Sequence, residues 1–365
     1  MALQVGLVGL PNVGKSTLFN AVSQAGAEAA NFPFCTIDPN VGVVAVPDER
    51  LTRLAGLARS QKVIPTAIEF VDIAGLVAGA SQGEGLGNQF LAHIREVDAI
   101  CNVVRCFESD DIIHVSGSVD PARDVEIITT ELILADLATT EKRLERANRS
   151  ARTGDKDLVR ERDQVLALRD HLAEGHVART FPGELEPTVA RELSLLTAKP
   201  VLYAANVAEH ELPDAAGNAH VDVVRKLAEA EGAELVVISA QVEAELAELD
   251  GDERDEYLAD LGLERSGLER LIERAYRLLG LLTYFTAGPK ESRAWTVPSG
   301  STAPRAAREI HTDFERGFIK AEVIAFDDYD RLGSEAAARD AGRLRIEGKE
   351  YVVKDGDVIH FRFNV

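Results

Sequence analysis

The sequence predicts an α/β fold built on a doubly wound parallel sheet, and two observations carry this prediction. Patterns typical of strands alternate with patterns typical of helices over residues 1 to about 118, as in chains that fold into strand–helix–strand units. Two strand candidates, residues 67–72 and 99–107, are almost wholly apolar, as expected when helices cover both faces of a parallel sheet. The other candidate strands of this sheet are residues 4–9, 41–46, 200–206 and 235–239.

A long helical segment interrupts this alternation. Apolar residues fall at helical spacing before and after a polar break at residues 153–155, which predicts two antiparallel helices that pair as a coiled coil. The α/β pattern resumes at residue 200, and its last helix is predicted at 267–279. The helical hairpin is therefore expected to be an insertion into one α/β domain.

The pattern changes again near residue 282, where short strands take over. A helix is predicted at 303–311, and Asp355-Gly356 is typical of a two-residue hairpin turn between the last two strands. The strand candidates are residues 283–285, 293–297, 319–324, 343–346, 351–353 and 358–363. We therefore expect an α/β domain (residues 1–120 and 198–281), a helical insertion (121–197) and a small mixed α+β domain (282–365).

Composition narrows the classes of partner and location. The net charge of −21 over 365 residues argues against general binding to DNA, RNA or anionic membranes. Three cysteines without metal-ligand spacing predict reduced thiols. No apolar run has the length of a membrane span, and the first strand begins too early for a signal peptide. We expect a soluble, cytoplasmic protein that acts as a monomer, and an acidic stretch at 243–256 that forms a solvated loop or helix face.

Residues 9–17 read Gly-Leu-Pro-Asn-Val-Gly-Lys-Ser-Thr, a phosphate loop between a strand and a helical pattern. Backbone N–H groups of such a loop surround a polyphosphate, and the helix N-terminus adds positive potential. Lys15 is expected to reach the β- and γ-phosphates, and the Ser16 hydroxyl is expected to bind Mg²⁺. A chance glycine-rich turn is the alternative, which the flanking strand and helix disfavour. The predicted nucleotide-binding residues here are Asn12, Val13, Gly14, Lys15, Ser16 and Thr17.

A second motif, Asp72-Ile73-Ala74-Gly75-Leu76, ends an apolar strand. Asp72 is expected to hold Mg²⁺ through water, and the Gly75 N–H to sense the γ-phosphate. Thr36 lies between the two motifs and is expected to close over the γ-phosphate and Mg²⁺, although a loop hydroxyl without a ligand is the alternative. Ras-like enzymes orient the attacking water with a Gln where this chain has Leu76. Since Leu76 cannot form that hydrogen bond, the sequence predicts slow hydrolysis.

These motifs resemble those of a known family. The phosphate loop is similar to that of the Obg-related branch of translation-factor P-loop GTPases. Residues 31–40 and 72–88 resemble the YchF family, also called Obg-like ATPases. The order of parts also matches over essentially the whole chain: a G domain interrupted by a helical hairpin, then a TGS domain of ubiquitin-like fold. The resemblance implies a ribosome-associated protein that prefers ATP.

The base-recognition motif differs from that of ordinary GTPases, which carry Asn-Lys-x-Asp. Here the residues are Asn206-Val207-Ala208-Glu209, so Val207 replaces the Lys that covers guanine and the acid is one methylene longer. Adenine has no N1 or C2 donor for a carboxylate, whereas the Asn206 amide can donate to N7 and accept from N6. An ordinary loop is the alternative. Ser239-Ala240-Gln241 resembles the usual base-side loop, and the predicted base-side residues are Asn206, Val207, Glu209, Ser239 and Ala240.

Two residues are candidates for the missing catalytic help. His114 lies in a loop at residues 109–114, and the resemblance favours a catalytic role over a solvated side chain. Gly75, Leu76 and His114 are thus the residues expected to control hydrolysis. Asn12 is a candidate for holding K⁺ beside the phosphates, as an Asn at this position does in related GTPases.

The helical insertion is locally basic. Residues 142–169 include nine Lys or Arg and five Asp or Glu, which gives a local charge of +4. A solvated helix face with i,i+4 pairs is the simpler interpretation. The resemblance favours an arm that contacts ribosomal RNA, with help from the TGS domain. The nine residues are Lys142, Arg143, Arg146, Arg149, Arg152, Lys156, Arg160, Arg162 and Arg169.

The sequence thus predicts a Mg²⁺-dependent ATPase that cycles between nucleotide states on the ribosome. A GTP-specific ribosome assembly factor is the closest alternative, disfavoured by Val207 and Glu209. A nucleotide-gated binding scaffold with incidental hydrolysis stays open because of Leu76. A P-loop kinase for small molecules has no use for the Asp72-to-Gly75 switch motif.

Overall fold

The computed structural model describes residues 3–27, 39–74 and 85–364. The chain divides into two compact units: Met1–Val44 with Glu69–Ala275, and Ala45–Ile68 with Tyr276–Val365. The strands are β1 (Gln4–Val8), β2 (Val41–Ala45), β3 (Val63–Ile64), β4 (Ala67–Asp72), β5 (Ala99–Arg105), β6 (Val201–Asn206), β7 (Glu234–Ile238), β8 (Leu281–Ala287), β9 (Ser292–Pro298), β10 (Phe318–Ala325), β11 (Arg345–Glu347) and β12 (Asp357–Phe363).

The helices alternate with the strands in the first unit and are short in the second. They are α1 (Lys15–Ala27), α2 (Glu49–Ala58), α3 (Gly85–Glu96), α4 (Pro121–Ser150), α5 (Lys156–Ala173), α6 (Pro187–Leu193), α7 (Ala219–Glu231), α8 (Ala240–Leu246), α9 (Gly251–Asp260), α10 (Gly267–Leu278), α11 (Ala303–Ile310), α12 (Thr312–Arg316), α13 (Phe326–Leu332) and α14 (Glu335–Asp340).

The sheet of the first unit has the strand order β2-β4-β1-β5-β6-β7. β1 pairs in parallel with β4 and β5, and β5, β6 and β7 continue in parallel. Every residue of β5 and β6 is buried, as the apolar sequence of central parallel strands predicts. The predicted strands of this sheet are confirmed, with ends that differ by a residue or two.

The predicted helical hairpin is present as α4 and α5. Gly154 adopts the left-handed backbone with φ of +79°, where glycine avoids the steric penalty of a Cβ atom. Asp155 then caps α5 by accepting hydrogen bonds from the N–H groups of Asp157 and Leu158. Leu144 of α4 and Leu168 of α5 belong to one buried cluster. The predicted break at residues 153–155 is therefore confirmed, while a coiled-coil geometry stays a prediction.

The second unit contains a mixed sheet in the order β11-β10-β12-β8-β9-β3. β8 and β9 form an antiparallel pair, β10 pairs antiparallel with β11 and β12, and β12 runs parallel to β8. Residues 45–68, which the sequence pattern placed in the α/β domain, contribute α2 and β3 to this unit. Leu51 and Leu54 of α2 share a buried cluster with Phe285 and Tyr329. The division into three separate domains stays a prediction.

One predicted hairpin is wrong. Asp355 and Gly356 do form a turn, with φ of +82° at Gly356, but residues 351–353 are not a strand paired with β12. β12 already has β10 on one side and β8 on the other, so neither edge of this strand is free for a further partner. Val352 instead forms an isolated bridge with Thr302.

The acidic stretch at 243–256 is not wholly solvated, contrary to prediction. Glu243 is only 3% exposed, and its Oε1 accepts a hydrogen bond of 2.8 Å from the Gly267 N–H at the start of α10. Burial raises the pKa of this carboxyl group. Glu253 and Glu256 in α9 are more accessible. Within residues 3–27, 39–74 and 85–364, no helix is long and apolar enough to cross a bilayer.

Candidate nucleotide-binding site

The predicted phosphate loop connects β1 to α1 at the carboxyl edge of the parallel sheet, the edge where ligands bind in such folds. Asn12 and Gly14 take the left-handed backbone, with φ of +63° and +93°. The Leu18 N–H donates to the Gly14 carbonyl at 3.0 Å, so the helical bonding of α1 starts from the loop itself. The strand–loop–helix arrangement predicted from the motif is confirmed, and it directs the amino end of α1 toward this loop.

Two predicted site residues meet at this edge. The Lys15 ammonium group forms an ion pair and a hydrogen bond with Oδ1 of Asp72, at the end of β4. Lys15 is only 8% exposed, whereas Ser16 and Thr17 are exposed on the first turn of α1. The structure thus brings the phosphate loop and the second motif together.

The residues present fit the predicted Mg²⁺. A serine hydroxyl and an aspartate carboxylate are oxygen ligands of the kind that Mg²⁺ prefers, with water and substrate phosphates completing its coordination. Ser16 and Asp72 supply these groups. Three further predicted residues lie outside the described part of the chain: Thr36, Gly75 and Leu76.

Asn206 connects the phosphate loop to the base-side loop. Its Nδ2 donates to the Val13 carbonyl at 2.8 Å, and its Oδ1 accepts from the Ala240 N–H at 2.9 Å. The side chain is packed so closely that a Cβ atom on Gly14 would lie 2.2 Å from Nδ2. Sequence reasoning assigned Asn206 to the base alone and missed this connection. The Asn206 amide still has a second Nδ2 hydrogen and a second Oδ1 lone pair that could contact adenine. Recognition of adenine by Asn206 therefore stays a prediction.

The rest of the base-side loop is largely held by the protein. Val207 is 2% exposed and its N–H donates to the Ile238 carbonyl at 2.9 Å, so its side chain packs inside the protein. Ser239 and Ala240 are also buried, at 2% exposure each. Glu209, by contrast, is exposed. Of this predicted set, Glu209 is therefore the side chain most accessible to a base.

Two residues that sequence reasoning missed shape this loop. Glu211 accepts hydrogen bonds from the Ala208 N–H at 3.0 Å and from Asn218 Nδ2 at 2.6 Å. Asn218 also donates to the Cys106 carbonyl at 2.8 Å and caps α7. The available signal was Asn218 itself, since Asn before a helical pattern is typical of an N-cap.

The loop after β5 folds against the phosphate loop. Nδ2 of Asn12 donates to the Ile113 carbonyl at 3.1 Å. The Arg105 guanidinium, 1% exposed, donates to the carbonyls of Phe107 and Ile112 at 3.1 and 2.9 Å. Its Cζ also lies 4.4 Å from the centroid of the Phe107 ring. Burial lowers the pKa of Arg105, and these contacts make Arg105 an internal support for the loop.

His114 is neither solvated nor free in this structure. It is 5% exposed, its Nε2 lies 2.8 Å from Oδ2 of Asp124, and its Nδ1 accepts from the Ser116 N–H at 3.1 Å. Both ring nitrogens therefore have protein partners, and the alternative of a solvated side chain is wrong. The catalytic role of His114 stays a prediction.

The two described cysteines are structural. Cys101 and Cys106 are buried and unpaired, and burial raises the pKa of each thiol to about 12. Reduced thiols were predicted, and the third, Cys35, lies outside the described residues. In the described ranges, no group of three His, Cys, Asp or Glu is placed to hold a metal ion.

Known proteins resemble this chain over its whole length. Residues 4–131 match a family model described as 50S ribosome-binding GTPase, and residues 281–364 match YchF-GTPase_C, described as a protein of unknown function. The ribosome-binding ATPase YchF of Bacillus subtilis is 56% identical, with 100% of both chains covered. Its namesake in Escherichia coli O157:H7 is 55% identical, again with 100% of both chains covered.

A solved structure extends the similarity to three dimensions. The YchF GTPase of Schizosaccharomyces pombe is 38% identical and has a TM-score of 0.88, covering 99% of this chain and 97% of that one. The resemblance seen in the motifs and the P-loop α/β fold are both confirmed. With such identity over complete chains, the protein belongs to the YchF family.

Proposed function

We propose that this protein is a Mg²⁺-dependent cytoplasmic ATPase that uses ATP binding and slow hydrolysis as a switch on the ribosome. One observation carries the nucleotide part: Asn206 bonds to the phosphate loop and to the base-side loop, while Lys15 of the phosphate loop meets Asp72. These residues come from distant parts of the chain. Their convergence at one sheet edge is what a nucleoside-triphosphate site requires.

When nucleotide is bound, Lys15 and Asp72 would contact phosphate and Mg²⁺ instead of each other. Lys15 would bind the β- and γ-phosphates, and Ser16, Thr36 and Asp72 would hold Mg²⁺ directly or through water. Mg²⁺, when bound, neutralises developing phosphate charge. Asn12 stays a candidate for K⁺, since its Oδ1 is not the atom that bonds to Ile113.

The preferred base is proposed to be adenine. Relatives in two bacteria carry the name ATPase, whereas the yeast relative is named a GTPase. In this chain Glu209 is exposed, and adenine offers its carboxylate no N1–H or N2–H donor. The Glu209 carboxylate would therefore add nothing to ATP affinity. Val207 stands where ordinary GTPases have a Lys that covers guanine, so this chain lacks that contact.

Titration calorimetry with ATP and GTP tests this proposal directly. We expect ATP to bind more tightly, and Glu209→Ala to leave ATP affinity within about twofold, since no hydrogen bond to adenine is lost. Lys15→Ala should abolish binding of both nucleotides, which identifies the site. A GTP preference of tenfold or more would exclude the adenine assignment and favour a GTP-specific factor.

The ribosome-facing surface is proposed to lie on the hairpin of α4 and α5. Of the nine Lys and Arg residues between positions 142 and 169, five bond to carboxylates; Arg143, for example, pairs with Glu161 at 2.6 Å and Glu192 at 2.9 Å. The other four make no ion pair within the described residues. This unpaired basic set is Lys142, Arg149, Arg152 and Lys156. Because three of the four lie beside the turn between the helices, the hairpin tip is the best candidate for contact with RNA phosphates.

Ribosome co-sedimentation over a salt series tests the tip. Changing Arg149, Arg152 and Lys156 to Glu should weaken binding and flatten the dependence of log K on log salt by about 0.7–0.9 for each phosphate that is no longer neutralised. The matched control changes Arg160, Arg162 and Arg169 to Glu, which alters the net charge equally on residues that already have carboxylate partners. Equal weakening by both triple variants would mean that total charge, not the tip, controls binding.

A nucleotide-gated scaffold is the second candidate, and one observation favours it. Both ring nitrogens of His114 are occupied by protein partners, and Leu76 cannot orient water. ATP hydrolysis measured with and without ribosomes separates the two. Stimulation by ribosomes favours the switch, whereas equal, negligible rates together with ATP-dependent ribosome binding favour the scaffold. Under either candidate, we propose that the second unit contains a TGS domain of ubiquitin-like fold.

A further inference from the structure

The loop between β5 and α4 is fastened to the first turn of α4 by a buried hydrogen bond. The side chains of His114 and Asp124 are only 3% and 4% exposed, and Nε2 lies 2.8 Å from Oδ2. Asp124 belongs to α4, the 30-residue helix that continues into the basic hairpin. This contact therefore joins the loop beside the phosphate site to the helix that continues into the hairpin.

The direction of the hydrogen bond follows from the partners of the ring. Nδ1 accepts the Ser116 N–H at 3.1 Å, so it carries no proton, and the ring proton lies on Nε2. Nε2 consequently donates to the Asp124 carboxylate. In this arrangement His114 has no nitrogen left to contact a water or a phosphate.

The same loop is held at two further points. Arg105 donates to the Phe107 and Ile112 carbonyls, and Asn12 of the phosphate loop donates to the Ile113 carbonyl. The Ile113 carbonyl is one residue from His114. Movement of His114 would therefore disturb hydrogen bonds to the phosphate loop as well as to α4.

Release of His114 would leave a buried carboxylate with weaker support. Oδ1 of Asp124 accepts from the Arg123 guanidinium at a long 3.3 Å, and Oδ2 would lose its partner. An uncompensated buried charge is unfavourable, so the pair favours the fastened state. A partner that moves the first turn of α4 would weaken the hydrogen bond and so make release of His114 easier.

We propose that Asp124 is a positioning residue that restrains His114, and that breaking this pair controls the rate of ATP hydrolysis. The inference rests on the proposed role of His114 in hydrolysis. Asp124 lies in the first turn of α4, and the same helix continues to the basic residues of the hairpin. Binding of RNA to the hairpin could therefore displace Asp124 through this helix. The basic hairpin and the phosphate site are thereby coupled.

Steady-state ATPase assays on the full chain test the restraint. Asp124→Ala should raise basal kcat by about tenfold, the factor expected when a hydrogen bond to a charged group is removed, with KM unchanged. Asp124→Asn keeps an acceptor for Nε2 and should give a smaller increase. Stimulation by ribosomes should shrink in both variants, because the restraint is already weakened.

A double-variant comparison separates this role from a purely structural one. In a His114→Ala background, Asp124→Ala should produce no increase in kcat. A fall in kcat for both Asp124 variants, or the same increase with and without His114, would overturn the restraint. If His114→Ala hydrolyses ATP at the wild-type rate with and without ribosomes, the catalytic role of His114 itself is wrong. Thermal unfolding and ATP affinity confirm that each variant is folded, and Asp124→Asn preserves the test if the Ala variant is not.

Discussion

Nδ2 of Asn206 donates a hydrogen bond of 2.8 Å to the carbonyl oxygen of Val13, joining residues that are 193 positions apart in the chain. The bond runs from the end of β6 to the centre of the phosphate loop. Since Oδ1 of the same amide accepts from the Ala240 N–H, one buried side chain holds two nucleotide-facing loops in register. The shape of the phosphate loop therefore depends on a residue outside its own motif.

Asn206→Asp should weaken ATP and GTP binding alike, by about tenfold or more, because a carboxylate cannot donate to the Val13 carbonyl and places a buried charge against it. Fluorescent nucleotide titrations measure both affinities. Asn148→Asp, which adds the same charge at an exposed position of α4, serves as the control. A loss confined to one base would mean that Asn206 acts on the base and not on the loop.

Gly14→Ala should strongly weaken nucleotide binding while the protein still folds. The added Cβ would lie 2.2 Å from Asn206 Nδ2, and the φ of +93° is strained for any residue with a Cβ. We expect a loss in affinity of about 100-fold, on the scale of a distortion of about 3 kcal/mol. Gly56→Ala is the matched control: it lies within α2 with open space around its Cβ position. It should leave affinity unchanged and raise stability by about 0.5–1 kcal/mol.

Cys101 and Cys106 should resist thiol reagents in the folded protein. Burial raises each pKa to about 12, so at about pH 8 only about one thiol in ten thousand is ionised. In a Cys35→Ser background, Ellman's reagent should register almost no reaction until guanidinium is added, and then two thiols. Rapid reaction under native conditions would show that the core around β5 opens easily.

Glu322→Gln should reduce stability near neutral pH but not in acid. The hydrogen bond from Arg362 lowers the pKa of Glu322 below its usual 4.5, so its stabilising contribution is present above that value and disappears as pH falls through the lowered pKa. We expect a melting temperature about 1–3 °C lower at about pH 7, with the difference closing below about pH 4. Glu350→Gln, at an exposed position of the same unit, should show less difference at either pH. A difference in melting temperature that grows as the pH falls would contradict this prediction.

Local sequence patterns were sufficient for the strands of the parallel sheet and for the break in the helical hairpin. The apolar runs of β5 and β6 predicted central parallel strands, and Gly154 with Asp155 predicted the break between α4 and α5. The phosphate loop and Asp72 were predicted as one site, and they meet. Each of these depends on spacing or turn chemistry within a short segment.

Contacts between distant segments were not predictable in the same way. Residues 351–353 have the composition of a strand, yet β10 and β8 already occupy both edges of β12. Glu243 has the sequence context of a solvated acid, but it caps a helix that begins 24 residues later. His114 was assigned from its loop and from the family resemblance, and neither indicated that Asp124 of α4 is its partner. In each case the deciding group lies elsewhere in the chain.

The assignment of residues 45–68 to the second unit has a consequence for dissecting this protein. The chain passes between the two units three times, after Val44, after Ile68 and after Ala275. Removing residues 281–364, the segment that the family model delimits, would leave α2 behind with Leu51 and Leu54 stripped of Phe285 and Tyr329. Neither unit is a detachable module of contiguous sequence, and a chimaera between two relatives must exchange two segments together to keep one core intact.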